Sequence, residues 1–440
     1  MADEYDVAVV GAGPAGSATA RRLAGSGCRV VLLERSRFDA PRVGESLAPA
    51  TTALLTELGV WPRFTGLRPL PSYGTRSVWG GPEPQSHSHL VSPYGCGWHV
   101  DRVAFDRMLA EAAADAGAEL RCATTCVRVD QGGCWLLSLA QDARPAGERV
   151  RARVLVDATG RAARIGRQLG GRSAVFDRLV GVAALLDGVD AGEEGFVLVE
   201  AMPDGWWYSA PAAAGRMVAM LMTDTDVCRG LRVSIPGRWH ERLAATRLTA
   251  ARVAGPVGWG PRVFPAASQR LRRAAYDARW IAVGDAALAV DPISGSGVVR
   301  ALRTARAAAT TVLAMLAGDQ SRPVAAYEAE RDRECTQYLR ERARYYGAER
   351  RWDSAPFWRR RICVQGRTVP ESRALACGSY PAQRNDRVFE CALIGESADG
   401  RGGIVPAELR GGIRAHAECR MQFTAELAAR SRCAAFVDLR

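Results

Sequence analysis

The residues best suited to chemistry lie at the start of the chain, where glycines follow an apolar run in G-x-G-x-x-G order. These glycines are Gly11, Gly13 and Gly16. Such a pattern permits a tight turn, close approach of the backbone to a pyrophosphate, and close packing of the next helix. Glu34 ends the next apolar run and could accept both hydroxyls of an adenosine ribose. Residues 5–35 therefore predict a strand, a helix and a strand that bind an ADP-containing dinucleotide.

Two further glycine-containing turns follow apolar runs later in the chain. They are DATG at 157–160 and GDAALAVDPISGSG at 284–297. A glycine-containing turn at the carboxyl end of a parallel strand is where such a sheet binds its ligand. Gly295 and Gly297 also precede a long alanine-rich stretch. The N-terminus of that predicted helix could lie against a phosphate or the polar edge of a ring.

A parallel sheet must bring these three segments together, and a second kind of sheet interrupts it. From about 179 to 263 the chain has short alternating runs, which are typical of antiparallel strands. We therefore predict an α/β fold with discontinuous domains. The predicted ranges are 1–70, 98–177 and 270–345 for the dinucleotide domain, 71–97 and 178–269 for a substrate domain, and 346–440 for a C-terminal region of uncertain structure.

Composition excludes several classes of protein. No apolar run in the 440 residues approaches the ~20 residues of a membrane span. The chain begins with the acidic MADE and has no secretory pattern, which predicts a cytoplasmic protein. The 12 cysteines are scattered without C-x-x-C and are expected to be reduced thiols. His87 and His89 have no evident third ligand, so we expect them to be exposed and predict no metal site.

The formal charge is +12, and all 59 basic residues are arginine. Arginine drift in a GC-rich genome explains this composition most simply, whereas a basic surface for an acidic carrier protein or peptide is the alternative. No basic run is interleaved with aromatic residues, which argues against nucleic-acid binding. The absence of lysine excludes any chemistry that needs a lysine amine.

Together, the three glycine segments resemble the FAD-dependent monooxygenases of the glutathione-reductase-like superfamily over about residues 1–345. GES at 44–46, DR-x-x-FD at 101–106 and GWWYSAP at 205–211 resemble one branch of it. That branch contains flavin-dependent halogenases and the flavoproteins that hydroxylate tryptophan during maturation of protein-derived quinones. The resemblance implies a Rossmann FAD domain, an inserted antiparallel-sheet substrate domain and a helical C-terminal part.

The resemblance also implies which residues hold FAD. Arg102 would contact the pyrophosphate region, Asp285 would contact the ribityl chain, and the backbone N–H groups near Val298 would lie at the isoalloxazine edge. The full set of expected FAD-binding residues is Gly11, Gly13, Ala15, Gly16, Glu34, Arg35, Arg42, Ser46, Arg102, Asp157, Gly160, Gly284, Asp285, Pro292, Gly295, Gly297 and Val298.

Residues expected near the flavin ring are candidates for binding the substrate and for acid–base catalysis. In this family reduced flavin and oxygen form a C4a-hydroperoxide, whose distal oxygen attacks an electron-rich ring. Trp206 and Trp207 would form an aromatic wall for such a ring, with core packing as the alternative. The acid–base candidates are Glu45, Asp291, Tyr208 and His99.

Three of these acid–base candidates have a plainer explanation. Glu45 is preferred because the family places its loop beside the ring, although a solvated loop carboxylate is the alternative. Asp291 precedes a proline and could simply form a turn. His99 lies just before a predicted helix and could serve as its cap.

We therefore predict an FAD-dependent oxidoreductase, a monooxygenase that hydroxylates an electron-rich aromatic substrate. An indole or phenol, free or attached to a peptide or carrier protein, fits this prediction. No second G-x-G-x-x-G follows for a separate nicotinamide domain. NADH or NADPH is thus expected to donate electrons either directly or through a partner flavin reductase.

Three alternatives remain open. A flavin-dependent halogenase is disfavoured because its relay lysine is absent and its W-x-W-x-I-P stretch is replaced by WWYSAP at 206–211. A geranylgeranyl-type flavin reductase would need an apolar tunnel for its prenyl substrate. A flavin-binding scaffold without catalysis would not need all three glycine segments.

Overall fold

The computed structural model describes residues 3–362 except 143, 189–194, 213–214, 254, 277–278 and 320. Elements are numbered in chain order. The helices are α1 Pro14–Gly25, α2 Thr51–Glu57, α3 Trp61–Gly66, α4 Arg102–Asp115, α5 Arg164–Gln168, α6 Thr225–Leu231, α7 Pro236–Ala244, α8 Leu248–Arg252, α9 Gly297–Ala317, α10 Ser321–Ala348 and α11 Pro356–Ile362. Short 3₁₀ turns cover His89–Val91, Gly160–Ala162, Gly284–Ala286 and Pro292–Ser294.

The first sheet has eight strands and a parallel centre. Its strands are β1 Asp3–Val10, β2 Val30–Leu33, β8 Glu119–Arg121, β9 Thr124–Gln131, β10 Trp135–Gln141, β11 Arg144–Asp157, β19 Ala275–Tyr276 and β20 Trp280–Ala282. The order along the parallel part is β20-β11-β1-β2-β8. Because β1, β11 and β20 run in parallel as neighbours, their carboxyl ends bring the three glycine segments to one edge. The prediction of an α/β fold with a Rossmann-type domain is confirmed.

The second sheet has seven strands and is antiparallel except where β5 pairs with β14. Its strands are β5 Gly74–Val78, β6 Gln85–Ser88, β13 Leu179–Asp187, β14 Phe196–Met202, β15 Gly205–Ala212, β16 Arg216–Asp224 and β17 Val257–Pro265. Helices α6 to α8 pack on one face, where Trp239 is fully buried. The opposite face packs against the C-terminal end of α10 and against α11.

Two small sheets connect the larger ones. One contains β3 Ser46–Leu47, β7 Gly97–His99 and β4 Leu70–Ser72, and the other contains β12 Ser173–Val175, β18 Gln269–Leu271 and β21 Leu288–Ala289. The first of these holds the predicted ring-side loop at 44–46 against β7. Helices α1 and α9 pack against each other beside the first sheet.

The predicted C-terminal region begins inside the fold. Residues 346–348 end α10, and α11 buries Phe357 and Trp358 against the second sheet. Residues 363–440 lie outside the described part of the chain. The domain limits stay a prediction. Within the described residues, no helix is both long and apolar enough to cross a membrane, and no group of three or more His, Cys, Asp or Glu side chains could hold a metal ion.

Candidate functional site

A cavity of about 800 Å³ lies between the two large sheets. Seventeen of the predicted site residues line it: Gly11, Gly13, Ala15, Glu34, Arg35, Arg42, Ser46, Arg102, Gly160, Trp206, Tyr208, Asp285, Asp291, Pro292, Gly295, Gly297 and Val298. Four others, Gly16, Glu45, Asp157 and Gly284, lie behind the lining. Residues that are distant in sequence therefore face one space, and the roles assigned to them stay predictions.

The first three glycines have different local environments. A Cβ atom at Gly16 would overlap the carbonyl oxygen of Gly11, so this glycine permits α1 to pack close to β1. Gly11 has φ +107° and would overlap the carbonyl of Ala158. A Cβ at Gly13 would meet nothing within 4 Å, and this residue faces the cavity at the N-terminus of α1. Gly13 is thus where a bound phosphate can approach the backbone.

Gly284 and Asp157 do not line the cavity, but each shapes a segment that does. A Cβ at Gly284 would lie 2.7 Å from the Cβ of Ala15, so this glycine permits close packing of the first and third segments. The Asp157 carboxylate accepts hydrogen bonds from the Thr159 hydroxyl at 2.6 Å and from the Gly166 amide at 2.8 Å. Asp157 therefore shapes the DATG turn, and it is buried beneath the cavity surface.

Charged residues surround the end of the cavity near β2. The Glu34 carboxylate accepts hydrogen bonds from the Ala12 amide at 2.9 Å and from Arg42 at 3.2 Å. Arg42 also contacts Asp106 at 2.7 Å. Arg102 donates to the backbone carbonyls of residues 43 and 44, at 3.0 and 3.1 Å, so this arginine positions the loop that carries Glu45 and Ser46.

Arg161 is a cavity residue that the sequence analysis did not single out. Its guanidinium lies 3.3 Å from the Asp285 carboxylate, and it also donates to the carbonyl of Ala267 at 2.9 Å. Arg161 thereby positions the carboxylate predicted to meet the ribityl chain. Arg161 directly follows DATG in the sequence, and its position next to this turn could have predicted that it lines the cavity.

The aromatic wall is formed by alternate residues of β15. Trp206 and Tyr208 face the cavity, together with Val199, Met220, Met222 and Phe264. Trp207 points to the opposite face, where its ring centroid lies 5.2 Å from that of Trp239. The expectation that both tryptophans form the wall is therefore wrong for Trp207, because successive strand residues point to opposite faces of a sheet.

A buried chain of hydrogen bonds connects this wall to the 291–298 turn. The Trp206 indole N–H donates to the Tyr346 hydroxyl at 3.1 Å, and that hydroxyl donates to Asp291 Oδ2 at 2.8 Å. Asp291 Oδ1 accepts a hydrogen bond from the Ile293 amide at 3.0 Å. Asp291 therefore also stabilises a turn, which is the alternative role that the sequence suggested for it. Burial raises the pKa of Asp291, while Arg342 opposes that shift. Tyr346 was missed because its helix shows only a charged amphipathic pattern.

Glu45 is almost completely buried, so the alternative of a solvated loop carboxylate is wrong. Glu45 Oε2 accepts a hydrogen bond from the Gly44 amide at 2.9 Å. Glu45 Oε1 has no hydrogen-bond partner of standard geometry among the described residues. Burial raises the pKa of Glu45, while the nearby Tyr208 hydroxyl opposes the shift.

The histidines also differ from expectation. Asp101, not His99, caps α4, since its carboxylate accepts from the amides of Val103 at 2.7 Å and Ala104 at 3.2 Å. His99 is fully buried beside Ser46 instead. The prediction that His89 is exposed is wrong, because this side chain is buried at the cavity and contacts the Ser72 carbonyl at 3.1 Å.

Comparison with known proteins decides the family. Residues 4–342 match the family described as FAD binding domain. The chain belongs to this FAD-binding family. It is 32% identical over 365 residues to a Marinomonas mediterranea protein named as an FAD-dependent oxidoreductase, and the match covers 82% of this chain and 97% of the relative. The predictions of FAD as cofactor and of an FAD-dependent oxidoreductase are confirmed.

Other relatives of this FAD-binding protein have more specific names. It is 26% identical to a 1H-pyrrole-2-carbonyl-[peptidyl-carrier protein] chlorinase of Pseudomonas fluorescens, over 70% of this chain and 76% of the relative. The structure of a myxobacterial chondrochloren halogenase matches with a TM-score of 0.75 and 25% identity, covering 82% and 86% of the two chains. A peptidyl tryptophan dihydroxylase matches with a TM-score of 0.62 and 24% identity, covering 81% and 78%. The last match shows the fold alone.

The described residues of this FAD-binding protein fit the cofactor. Gly13 leaves open space at the N-terminus of α1, and Glu34, which directly follows β2, lines the same cavity. The N-terminus of α9, at Gly297 and Val298, lines the same cavity together with Pro292. An elongated group with an adenosine end and a polar ring end suits this arrangement.

Proposed function

We propose that this protein is a monooxygenase that hydroxylates an electron-rich aromatic substrate. One observation carries the proposal: the cavity is bordered on one side by the predicted FAD-binding segments and on the other by an aromatic and apolar wall. Such a wall can stack on a flat ring and exclude water from it. Bound flavin would supply reducing equivalents and activated oxygen.

The chain's own residues would prepare the site for this chemistry. The backbone N–H groups at the start of α9 can stabilise negative charge on the polar edge of a bound ring. The bonds from Trp206 to Tyr346 and from Tyr346 to Asp291 fix the wall relative to the turn that precedes α9. These contacts support a fixed distance between the wall and a bound cofactor.

Halogenation is the competing proposal because one relative is named as a chlorinase and another as a halogenase. The absence of lysine from all 440 residues supports oxygen transfer instead. In the family, a lysine relays the activated halogen to the substrate. No residue that lines this cavity has an amine that could take that role.

The substrate's carrier and the electron source belong to the same proposal. The names of the chlorinase and the dihydroxylase specify rings attached to a carrier protein and to a peptide, respectively. We propose that the substrate ring is attached to a carrier protein, attached to a peptide, or free in solution. NADH or NADPH would supply electrons, directly or through a flavin reductase.

Two matched substitutions test the wall. Trp206→Leu is expected to lower kcat/KM about tenfold, which is roughly 1.4 kcal/mol of lost stacking and positioning. Trp207→Leu should lower stability by about 2 kcal/mol but leave kcat/KM of the folded protein within about twofold. Turnover would be measured on the best substrate from a panel of free indoles and phenols. Equal kcat/KM for Trp206→Leu and the unaltered protein would contradict the proposed wall.

A further inference from the structure

A tryptophan row, made of Trp206, Trp79, Trp358 and Trp352, leads from the cavity wall to the protein surface. Trp206 lines the cavity, and its ring centroid lies 6.4 Å from that of Trp79. The centroids of Trp79 and Trp358 are 5.2 Å apart, and those of Trp358 and Trp352 are 6.1 Å apart. Such separations are those of aromatic rings in contact. The first three rings are buried and Trp352 is half-buried, so the row connects the cavity with solvent.

Other tryptophan clusters of the described residues do not connect the cavity with the surface. Trp207 and Trp239 form a buried pair on the opposite face of the second sheet. Trp61 packs against Trp98 with ring centroids 5.8 Å apart, and neither lines the cavity. Core packing explains these clusters fully. The tryptophan row differs because it begins at the cavity, ends at a half-buried ring and has an indole, which is readily oxidised, at every step.

Hydrogen bonds of the two inner indoles favour passage of an electron vacancy to the outer one. The Trp79 N–H donates to the carbonyl of Tyr345 at 2.8 Å, and the Trp358 N–H donates to the carbonyl of Met202 at 2.8 Å. A backbone carbonyl is a very weak base, so an oxidised indole at either position keeps its proton and stays a strong oxidant. Trp352 is half-buried and can release its indole proton to water. The vacancy is therefore expected to come to rest at Trp352.

Tyr346 lies beside the row, with its ring centroid 5.9 Å from that of Trp79. The guanidiniums of Arg342 and Arg361 lie 5.3 and 4.9 Å from the Tyr346 centroid and disfavour positive charge on this ring. The Trp206 N–H donates to the Tyr346 hydroxyl, whose oxygen is a weak base, so an oxidised Trp206 also keeps its proton. Tyr346 therefore fixes the first indole without trapping the vacancy.

The surface end of the row carries little net charge. Arg351 lies 4.3 Å from the Trp352 ring centroid. Its guanidinium pairs with the buried Glu349 carboxylate at 2.6 Å, so the two charges offset each other. Trp352 can therefore accept the vacancy despite the neighbouring arginine.

We propose that the tryptophan row conducts an electron vacancy from the cavity to the surface and so protects the site from oxygen radicals. The inference goes beyond the proposed function, because it concerns activated oxygen that fails to reach a substrate. Oxidised indoles are strong oxidants, so the row serves only when a strong oxidant forms in the cavity. It does not carry electrons from a nicotinamide to the flavin.

Electrons and protons balance when a thiol in solution is the final reductant. An oxygen radical of the hydroxyl class takes one electron from Trp206 and becomes hydroxide. Each indole is then reduced by the next one along the row, until Trp352 is oxidised and releases its indole proton, which neutralises the hydroxide. The thiol returns one hydrogen atom to Trp352, and two thiyl radicals join as a disulfide. The net change converts the oxygen radical to water and oxidises the thiol.

Flash excitation of oxidised holoprotein tests conduction without oxygen or turnover. Blue light makes oxidised flavin a strong one-electron oxidant, and ascorbate in solution is the final donor. The unaltered protein should show an indole radical in transient absorbance and a flavin reduction that ascorbate accelerates. Trp352→Phe should lose this acceleration, because the vacancy no longer reaches solvent. Trp61→Phe removes another half-buried indole, away from the cavity, and is the control that should retain the acceleration.

The positions of oxidative damage test protection. Holoprotein would be photoreduced and exposed to air repeatedly without an aromatic substrate, and peptide mass spectrometry would locate added oxygen. In the unaltered protein we expect adducts mainly at Trp352. In Trp358→Phe we expect them at Trp206 and Trp79 instead. Because Trp358 is also a packing residue of α11, Trp352→Phe is the second variant, and it should likewise move the adducts to the buried tryptophans.

The outcomes separate this inference from the proposed function. Equal acceleration by ascorbate in Trp352→Phe and the unaltered protein, or no indole radical in either, would overturn conduction. An unchanged pattern of adducts in both row variants would overturn protection. Either result could be found in a protein that hydroxylates its substrate. A conducting and protective row in a protein that transfers no oxygen to any ring would support this inference and contradict the monooxygenase proposal.

Discussion

The Gly13→Ala variant is expected to bind FAD about 100-fold more weakly, roughly 2.7 kcal/mol, while its apoprotein stays as stable as the unaltered one. The added methyl group meets no protein atom within 4 Å. The backbone at residue 13 has φ −73° and ψ 179°, which alanine adopts without strain. The methyl group would occupy the space where the pyrophosphate approaches the N-terminus of α1. Fluorescence titration of apoprotein with FAD measures the affinity.

Gly16→Ala is the matched control, because it adds the same methyl group three residues later. Here the new Cβ would overlap the Gly11 carbonyl and lie 2.8 Å from the Cβ of Ala158. We expect this variant to lose about 3 kcal/mol of stability or more in the absence of FAD. Equal effects of the two substitutions on apoprotein stability would show that Gly13 is a packing glycine. Unchanged FAD affinity in Gly13→Ala would contradict the assigned phosphate position.

The Asp224→Ala variant is expected to lose about 3–5 kcal/mol of unfolding free energy. Asp224 pairs with Arg361 at 2.7 Å, and the exposed fractions of their side chains are 1% and 3%. Removing the carboxylate takes away the acid that pairs with the buried Arg361 guanidinium. Arg361 belongs to α11, which packs behind Tyr346 and Trp206, so the cavity wall should also loosen. Urea unfolding of the purified protein measures the change.

Asp226→Ala provides the control for the buried pair. Asp226 and Asp224 both contact Arg360, but the side chains of Asp226 and Arg360 are 47% and 37% exposed. Exposed pairs of this kind contribute about 1 kcal/mol or less. We therefore expect Asp226→Ala to change stability only slightly. A similarly small loss in Asp224→Ala would mean that α11 contributes little to the stability of the fold.

The parts of the fold with a local signature could be predicted from the sequence. The G-x-G-x-x-G turn, the DATG turn and the 284–297 segment each follow an apolar strand, and parallel pairing brings them together at one edge. The alternation of β15 also carried the information that Trp206 and Trp207 face opposite sides. Applying the period-two rule to that strand would have assigned only Trp206 and Tyr208 to the wall.

Other parts of the site depend on packing between distant residues. Tyr346 lies 140 residues after Trp206 in the sequence, and no local pattern connects them. The burial of Glu45 and His99 likewise results from the small sheet that pairs β3 with β7. The contacts of Ser46 with Tyr208 and His99 join three segments of the chain, so they became visible only in the folded structure.

Oxygen labelling in a single turnover tests the central claim most directly. Holoprotein would be photoreduced without oxygen, mixed with a phenol or indole, and exposed to ¹⁸O₂ in buffer containing chloride and bromide. Photoreduction makes the result independent of the natural electron donor, and mass spectrometry identifies the product. The monooxygenase account predicts a ring product that gains one labelled oxygen atom and no halogen. A halogenated ring, or labelled hydrogen peroxide with every substrate unchanged, would contradict it.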